Sequence, residues 1–250
     1  MTSALTQFLL PAECLLCHAL FPFAKADDLV CAVCRHRWRP VSPPWCDRCG
    51  QPEPHFGPCR LCHDWVPAFG QVRSAVWLDA PARKAVHALK YGGFPKMGRD
   101  LAGVMVRHLR APPPGSALVP IPLAPRRLAR RGYNQSEVLA RALGTAWQIP
   151  VFSGLLARVR ETATQTTLTP ASRLANVAGA FQVRIDDCGV RIDPRINQSA
   201  IRNPQSPLVL VDDVFTTGAT IAAAAQALAQ AGCTHIAAVT FGRAVIPDFT

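Results

Sequence analysis

Two adjacent carboxylates, Asp212 and Asp213, stand between four apolar residues (Leu208, Val209, Leu210, Val211) and a small hydroxyl-rich turn, Thr216-Thr217-Gly218-Ala219-Thr220. The apolar run reads as a short buried strand. The Ala-rich stretch from Thr220 to Ala231 reads as a helix that Gly232 closes like a C-terminal cap. In an open parallel sheet, ligands sit at the carboxyl ends of the strands. A turn of small residues that opens a helix offers an anion its backbone N–H groups and the positive end of the helix dipole. Acidic groups beside such a cradle suit a ligand that carries both hydroxyls and a phosphate. A strand ending in Asp is also found in P-loop proteins, but their loop needs Gly-Lys-Ser/Thr. Here no Gly precedes a Lys, and no two glycines stand two apart as a dinucleotide fingerprint requires.

A second chemistry is written in the cysteines. Eight of the ten fall into four Cys-x-x-Cys pairs within 49 residues: Cys14/Cys17, Cys31/Cys34, Cys46/Cys49 and Cys59/Cys62. Each pair can point two thiolates at one metal, and two pairs complete a tetrahedral four-thiolate shell. Gaps of 13, 11 and 9 residues between pairs suit short ribbon loops. Two structural zinc ions are therefore expected. The expected pairing is sequential, Cys14, Cys17, Cys31 and Cys34 on one ion and Cys46, Cys49, Cys59 and Cys62 on the other; an interleaved cross-brace would use the same residues. Without a secretory signal, disulfides are the weaker reading. His18 and His63 follow knuckle cysteines but are surplus to eight thiolates, so they are expected outside the metal shells. Cys188 and Cys233 stand alone, as small buried hydrophobes or surface thiols.

The chain of 250 residues has room for a medium and a small domain. We divide it into a cysteine-rich double ribbon, 1–66, and an α/β domain, 67–250. No apolar run approaches the ~20 residues of a membrane-spanning helix, and Phe8-Leu9-Leu10 is too short for a signal peptide, so a soluble cytoplasmic protein is expected. The net charge is +11, and residues 1–68 are balanced at six basic and six acidic, so the excess belongs to the C-terminal part. Only four of the 27 basic residues are Lys. Arginine's planar fork grips phosphate bidentately, which implies an anionic ligand and leaves open whether nucleic acid is a second one.

Other elements must hold these groups in place. Strands are expected at Val72 to Leu78, Ala117 to Ile121, Phe181 to Ile185 and His235 to Phe241, and helices at Ala82 to Leu89 and Arg99 to Leu109. Trp65 to Gly70 reads as the joint between the ribbons and the main domain. The basic segment Arg126-Arg127-Leu-Ala-Arg130-Arg131-Gly132-Tyr133-Asn134-Gln135 reads as an anion-attracting loop before a helix, with Asn134 and Glu137 at capping-box spacing. Residues 158–180 are hydroxyl-rich and read as a long functional loop, and 186–207 as a polar, mobile connection. Strands alternating with helices argue for α/β with a mainly parallel sheet.

The 208–220 stretch resembles the ribose-phosphate loop of type I phosphoribosyltransferases, which bind 5-phosphoribosyl-1-diphosphate (PRPP). With the cysteine pairs it extends to a resemblance over nearly the whole chain, to the competence protein F (ComF) family, a zinc ribbon fused to a phosphoribosyltransferase-like domain. The stretches that carry it are His87-Ala-Leu-Lys90-Tyr91-Gly92, Val119-Pro-Ile-Pro122, Arg131-Gly-Tyr-Asn-Gln135, Arg158-Val-Arg160-Glu-Thr162-Ala-Thr-Gln165, Arg173-Leu-Ala-Asn176 and the loop itself. The stretch 186–207 departs from it, being longer and more polar than the family's usual link. The resemblance implies that Asp212 and Asp213 take the ribose hydroxyls, directly or through magnesium-bound water. It implies that Thr216, Thr217, Gly218, Ala219 and Thr220 wrap the 5-phosphate, that Arg126, Arg127 and Arg131 clamp diphosphate, and that Arg158 and Arg160 arrive on a lid, 158–176. Purine-salvage members of the superfamily carry an Asp at the fifth loop position; counting from Asp212, this chain has Thr216, which disfavours purine salvage. Members are linked to natural transformation and the use of imported DNA. Two expectations follow: a transferase acting on PRPP and an unidentified acceptor, or a PRPP-sensing or single-stranded-DNA-binding module without turnover, with DNA-uptake proteins as partners.

Overall fold

The computed structural model describes residues 11–25, 28–52, 58–160, 179–184 and 206–244. Residues 161–178, most of the expected lid, and 185–205, with Cys188, lie outside this set. Four strands form one parallel sheet in the order β1 (Phe69–Trp77), β6 (Ile236–Arg243), β5 (Leu208–Phe215) and β2 (Ala117–Pro120). A short antiparallel pair, β3 (Leu156–Arg158) and β4 (Phe181–Val183), lies beside it. Alternation along the strands divides the interior. Val209, Val211, Val239 and Phe241 face one core, while Leu208, Leu210, Ile236 and Ala238 face the other.

The helices follow from this division. The N-terminal segment contains the short α1 (Ala32–His36). α2 (Ala80–Tyr91), α3 (Met97–His108) and α5 (Gln135–Trp147) bury Leu89, Leu101, Met105, Leu139 and Leu143 in the first core. α6 (Ala219–Gln230) buries Ile221, Ala224, Ala225 and Leu228 in the second. α2 is longer than its apolar spacing suggests, because Asp79 accepts a hydrogen bond from Ala82 N and Pro81 presets the first turn. Gly232 ends α6 as expected. At φ 94° it lets its own N–H reach Ala229 O and that of Cys233 reach Leu228 O, a complete Schellman pair.

Two readings of the sequence are corrected. The arginine-rich loop is itself a helix, α4 (Pro125–Arg131), with Pro at its first position and Gly132 left-handed after its end. The capping box before α5 is half formed: Asn134 accepts from Ser136 N, but Glu137 pairs with Arg141 one turn on. The N-terminal segment contributes to both cores. Cys14, Phe21, Val30, Cys34 and Trp38 belong to the first core, and Cys49, Cys62 and Trp65 to the second. Between them the chain crosses the outer edge of β1, where Trp77 N donates to Arg39 O, Val41 N to Ala75 O and Val72 N to Arg48 O. The double ribbon thus straddles an edge strand and covers its exposed hydrogen-bonding groups. Within the expected joint Trp65 and Phe69 are buried: Trp65 stacks on Phe69 at 4.4 Å, and Phe69 opens β1.

Candidate functional site

β5 continues through both carboxylates to Phe215, paired with β6 as far as Phe215↔Arg243. Asp212 and Asp213 are therefore held in the sheet at its carboxyl end, and both are buried. Ser136 Oγ, in the first turn of α5, donates to Asp212 Oδ1 at 2.9 Å, and the amide of Asp213 donates to the same oxygen at 2.9 Å. Lys90 Nζ, in the last turn of α2, lies 2.7 Å from Asp213 Oδ2. Burial and the charge of Asp213 push the Asp212 carboxyl up to about 7, against the pull of Lys90 and the two hydrogen bonds. Burial disfavours the ammonium of Lys90, but Asp213 and Asp212 outweigh it and hold its pKa above the usual value. The site thus has one carboxylate already paired with a cation and another close to its protonation midpoint at neutral pH. Hydroxyl donors or a cation brought by a ligand would favour the ionised form of the second.

Lys90, Asp212 and Asp213 line a cleft of about 610 Å³. Thr216, Gly218, Ala219, Thr220 and Arg127 line it too, so most of the expected site comes together. Gly218 is left-handed at φ 76° and stands before the first residue of α6, whose N-terminus has no side-chain cap. Thr217 is buried beneath the turn, its hydroxyl 3.5 Å from Ala219 N. The arginines separate. In α4, positions 127 and 131 share a face. Arg127 lines the cleft, whereas Arg131 sits at its rim, 5.2 Å over the ring of Tyr91 and hydrogen-bonded to Gln135. Arg126 is exposed outside the lining; Arg160 is exposed and also outside it, whereas Arg158 lies within. Lys90 and Ser136 were not singled out by sequence reasoning. Lys90 stands inside the stretch His87–Gly92, and the one signal for it was a cation ending an amphipathic helix. A larger cavity, about 1240 Å³, opens at the amino ends of the strands, but its Arg48, Arg73 and Arg243 are engaged with backbone carbonyls.

The eight ribbon cysteines form two clusters, Cys14/Cys17/Cys31/Cys34 and Cys46/Cys49/Cys59/Cys62, as the sequential pairing expects. Tetrahedral zinc–thiolate bonds of ~2.3 Å place sulfurs about 3.8 Å apart. Here Cys17–Cys31, Cys46–Cys62 and Cys49–Cys59 are separated by 3.7, 3.6 and 3.5 Å. The backbone amides of Cys31 and Cys34 donate to the sulfurs of Cys14 and Cys31, both at 3.4 Å. Burial and neighbouring thiols push Cys49 up to about 12 and raise Cys34 and Cys62 as well. Four thiols so close cannot all ionise without a cation, so the donor set fits structural zinc. His18 and His63 lie outside both clusters, as expected, and Cys233 is half-buried.

Residues 5–64 match the double zinc ribbon domain family. DNA utilization protein YhgH of Salmonella typhi is 32% identical over 238 residues, covering 90% of this chain and 94% of that protein. Competence protein F of Haemophilus influenzae is 26% identical over 234 residues, covering 90% and 93%. This chain belongs to their family. Competence protein ComFC of Bacillus subtilis, 26% identical over 238 residues, extends it further. The names of these family members speak of DNA utilization and of competence. Among the described residues no helix is long and apolar enough to cross a membrane.

Proposed function

We propose that this chain binds PRPP and acts as a phosphoribosyltransferase-family protein in the use of imported DNA. One observation carries the reading. A buried carboxylate pair at the end of β5 and the open, uncapped start of α6 line one cleft, with only the Gly218 turn between them. Carboxylates accept from ribose hydroxyls, and the helix start receives the 5-phosphate. Arg127 and Arg158 line the same cleft, together with Arg83, and are cations placed to take diphosphate. Transfer replaces diphosphate at the anomeric carbon through a cationic, oxocarbenium-like transition state, which a dry cleft with fixed charges stabilises. Asp212 and Asp213 are the two carboxylates in the cleft lining, and Lys90 engages one of them, so the residues fit magnesium held mainly by the ligand's phosphates.

Thr216 supports a second reading, PRPP binding without turnover. Thr216 lines the cleft at the position where a general base would stand, and a hydroxyl does not serve as one at neutral pH. Calorimetric titration with magnesium and PRPP tests binding. PRPP consumption with and without single-stranded DNA and free nucleobases separates transfer from sensing. A wild-type protein that takes up no PRPP at millimolar concentration would overturn both readings.

A further inference from the structure

The second cysteine cluster and the phosphate-binding turn are one packed unit. Three residues after Cys62, the ring of Trp65 lies under the turn: a Cβ added at Gly218 would stand 3.2 Å from Trp65 and 2.8 Å from Phe215. Trp65 stacks on Phe69 and meets Phe215 edge-on with ring centres 6.3 Å apart. Two arginines join the ribbon to this packing. Arg48 sits between the knuckle cysteines Cys46 and Cys49 and donates to Cys62 O at 2.9 Å and to Phe69 O at 3.0 Å. Arg243, fully buried at the end of β6, donates to Cys49 O at 2.6 Å and to Gln51 Oε1 at 2.8 Å. Its guanidinium also lies 4.6 Å over the Phe215 ring. Among the described residues nothing comparable joins the first cluster to the turn. Its contacts run to α2 and α3, through Lys84 to Leu16 O and Arg35 to Asp100.

We infer that Trp65, Arg48 and Arg243 are positioning residues for the sugar-phosphate site, and that metal in the second cysteine cluster sets the order of the 216–221 turn. The first cluster takes no part in this. The physical reason is the left-handed Gly218. Glycine enters and leaves this region at little cost, so the turn keeps its shape only through what packs against it. Here that packing is two rings, one of them fixed three residues from a metal ligand. If Cys62 loses its ion, the Cys59–Cys62 turn loses its constraint, Trp65 can leave its place, and the amides that start α6 no longer converge. The ligand that such a change would affect is a phosphate monoester on a sugar, so this inference rests on the function proposed above.

Amide hydrogen exchange over residues 216–222, measured on the full chain without ligand, tests the coupling directly. Trp65→Ala should retain two zinc ions per chain and yet exchange there at least tenfold faster than wild type. Trp65→Phe, which keeps a ring beneath Gly218, should stay within threefold. Cys59→Ser should lose one zinc and match Trp65→Ala. Arg35→Ala, which loosens the first ribbon by removing its ion pair with Asp100, should leave the segment unchanged. Should Trp65→Ala fail to fold, Arg48→Met keeps the ring and serves in its place, with an expected rise of at least threefold. Unaltered exchange in these variants would overturn the inference, and so would an equal rise in Arg35→Ala. Ribose-5-phosphate affinity, by calorimetry, should fall in parallel with the rise in exchange. A wild type that binds neither ribose-5-phosphate nor PRPP would defeat the proposed function instead, and the exchange data would still decide the coupling.

Discussion

Asp212 and Asp213 are neighbours in sequence and opposites in environment. Lys90 neutralises Asp213, while Asp212 has a hydroxyl and an amide and is pushed up to about 7 by burial and its neighbour's charge. A native carboxyl that holds its proton up to about 7, against ~3.9 in the unfolded chain, lowers stability as pH rises through that window, because the unfolded state ionises first. Wild-type melting temperature should therefore fall between about pH 4 and 7 more than that of Asp212→Asn, which keeps the acceptor for Ser136 and has nothing to ionise; equal slopes in thermal scans would refute this. Asp213→Asn acts the other way, since it leaves Lys90 without its partner. The expected loss is on the order of 2 kcal/mol, below the ~3–5 kcal/mol of a fully buried broken pair because Lys90 still reaches solvent. Changing both to Asn should weaken PRPP at least about tenfold, as a hydrogen bond to a charged acceptor is worth ~1.5–3 kcal/mol and ~1.4 kcal/mol suffices for that factor. Equal calorimetric affinity in the wild type and the double variant would defeat the assignment. The pair was legible from its place after an apolar run. The asymmetry between its members was not, because Lys90 and Ser136 come from helices more than 70 residues away in sequence.

At the scale of elements, the strand–turn–helix of 208–230 was legible because its signals are local: an apolar run, small residues in the turn, an Ala-rich helix and a closing glycine. What the sequence did not disclose is which side of the turn each residue presents. Gly218→Val invites the expectation that a side chain would block the phosphate, but a Cβ there would first meet the rings of Phe215 and Trp65. The substitution should therefore act by unseating the turn. A left-handed position costs a β-branched residue at least ~1–2 kcal/mol before any clash is counted, so both the melting temperature and ribose-5-phosphate binding should drop together; a normal melting curve with lost binding would restore the blocking account. The arginine segment teaches the same lesson. Its charge was legible, but whether it was loop or helix decided which arginines share a face, and that was set by Pro125 and Gly132. Arg127→Ala should weaken PRPP and spare ribose-5-phosphate, whereas Arg126→Ala should change neither by more than about twofold, as titration with both ligands would show.

Over the whole molecule, the cysteine spacing foretold two four-thiol clusters and could not foretell where they sit. Spacing fixes a metal shell locally, but the faces of the sheet are set by long-range pairing of β1 with β6, and by the crossing of residues 39–48 over the edge of β1. Because each ribbon contributes to a different core, metal loss should be felt through the whole fold. Metal analysis after anaerobic purification should give two zinc ions per chain, and Cys46→Ser should give one with a clearly lowered melting temperature; fewer than about one per wild-type chain would contradict the donor geometry. Charge is the other property of the whole. The excess of +11 lies beyond residue 68 and is carried mostly by arginine. Part of that arginine is engaged internally: Arg73 and Arg243 on carbonyls, Arg141 on a carboxylate. Binding of single-stranded DNA should accordingly be weak, independent of sequence and driven by phosphate contacts rather than base stacking. A protein that neutralises about four phosphates loses roughly 50-fold in affinity between ~50 and ~200 mM salt. Fluorescence anisotropy with labelled oligonucleotides of two unrelated sequences should show that fall for both alike. Affinity that does not change over this range would mean that the basic excess is solvated surface, and that any contact with DNA is made through the cleft alone.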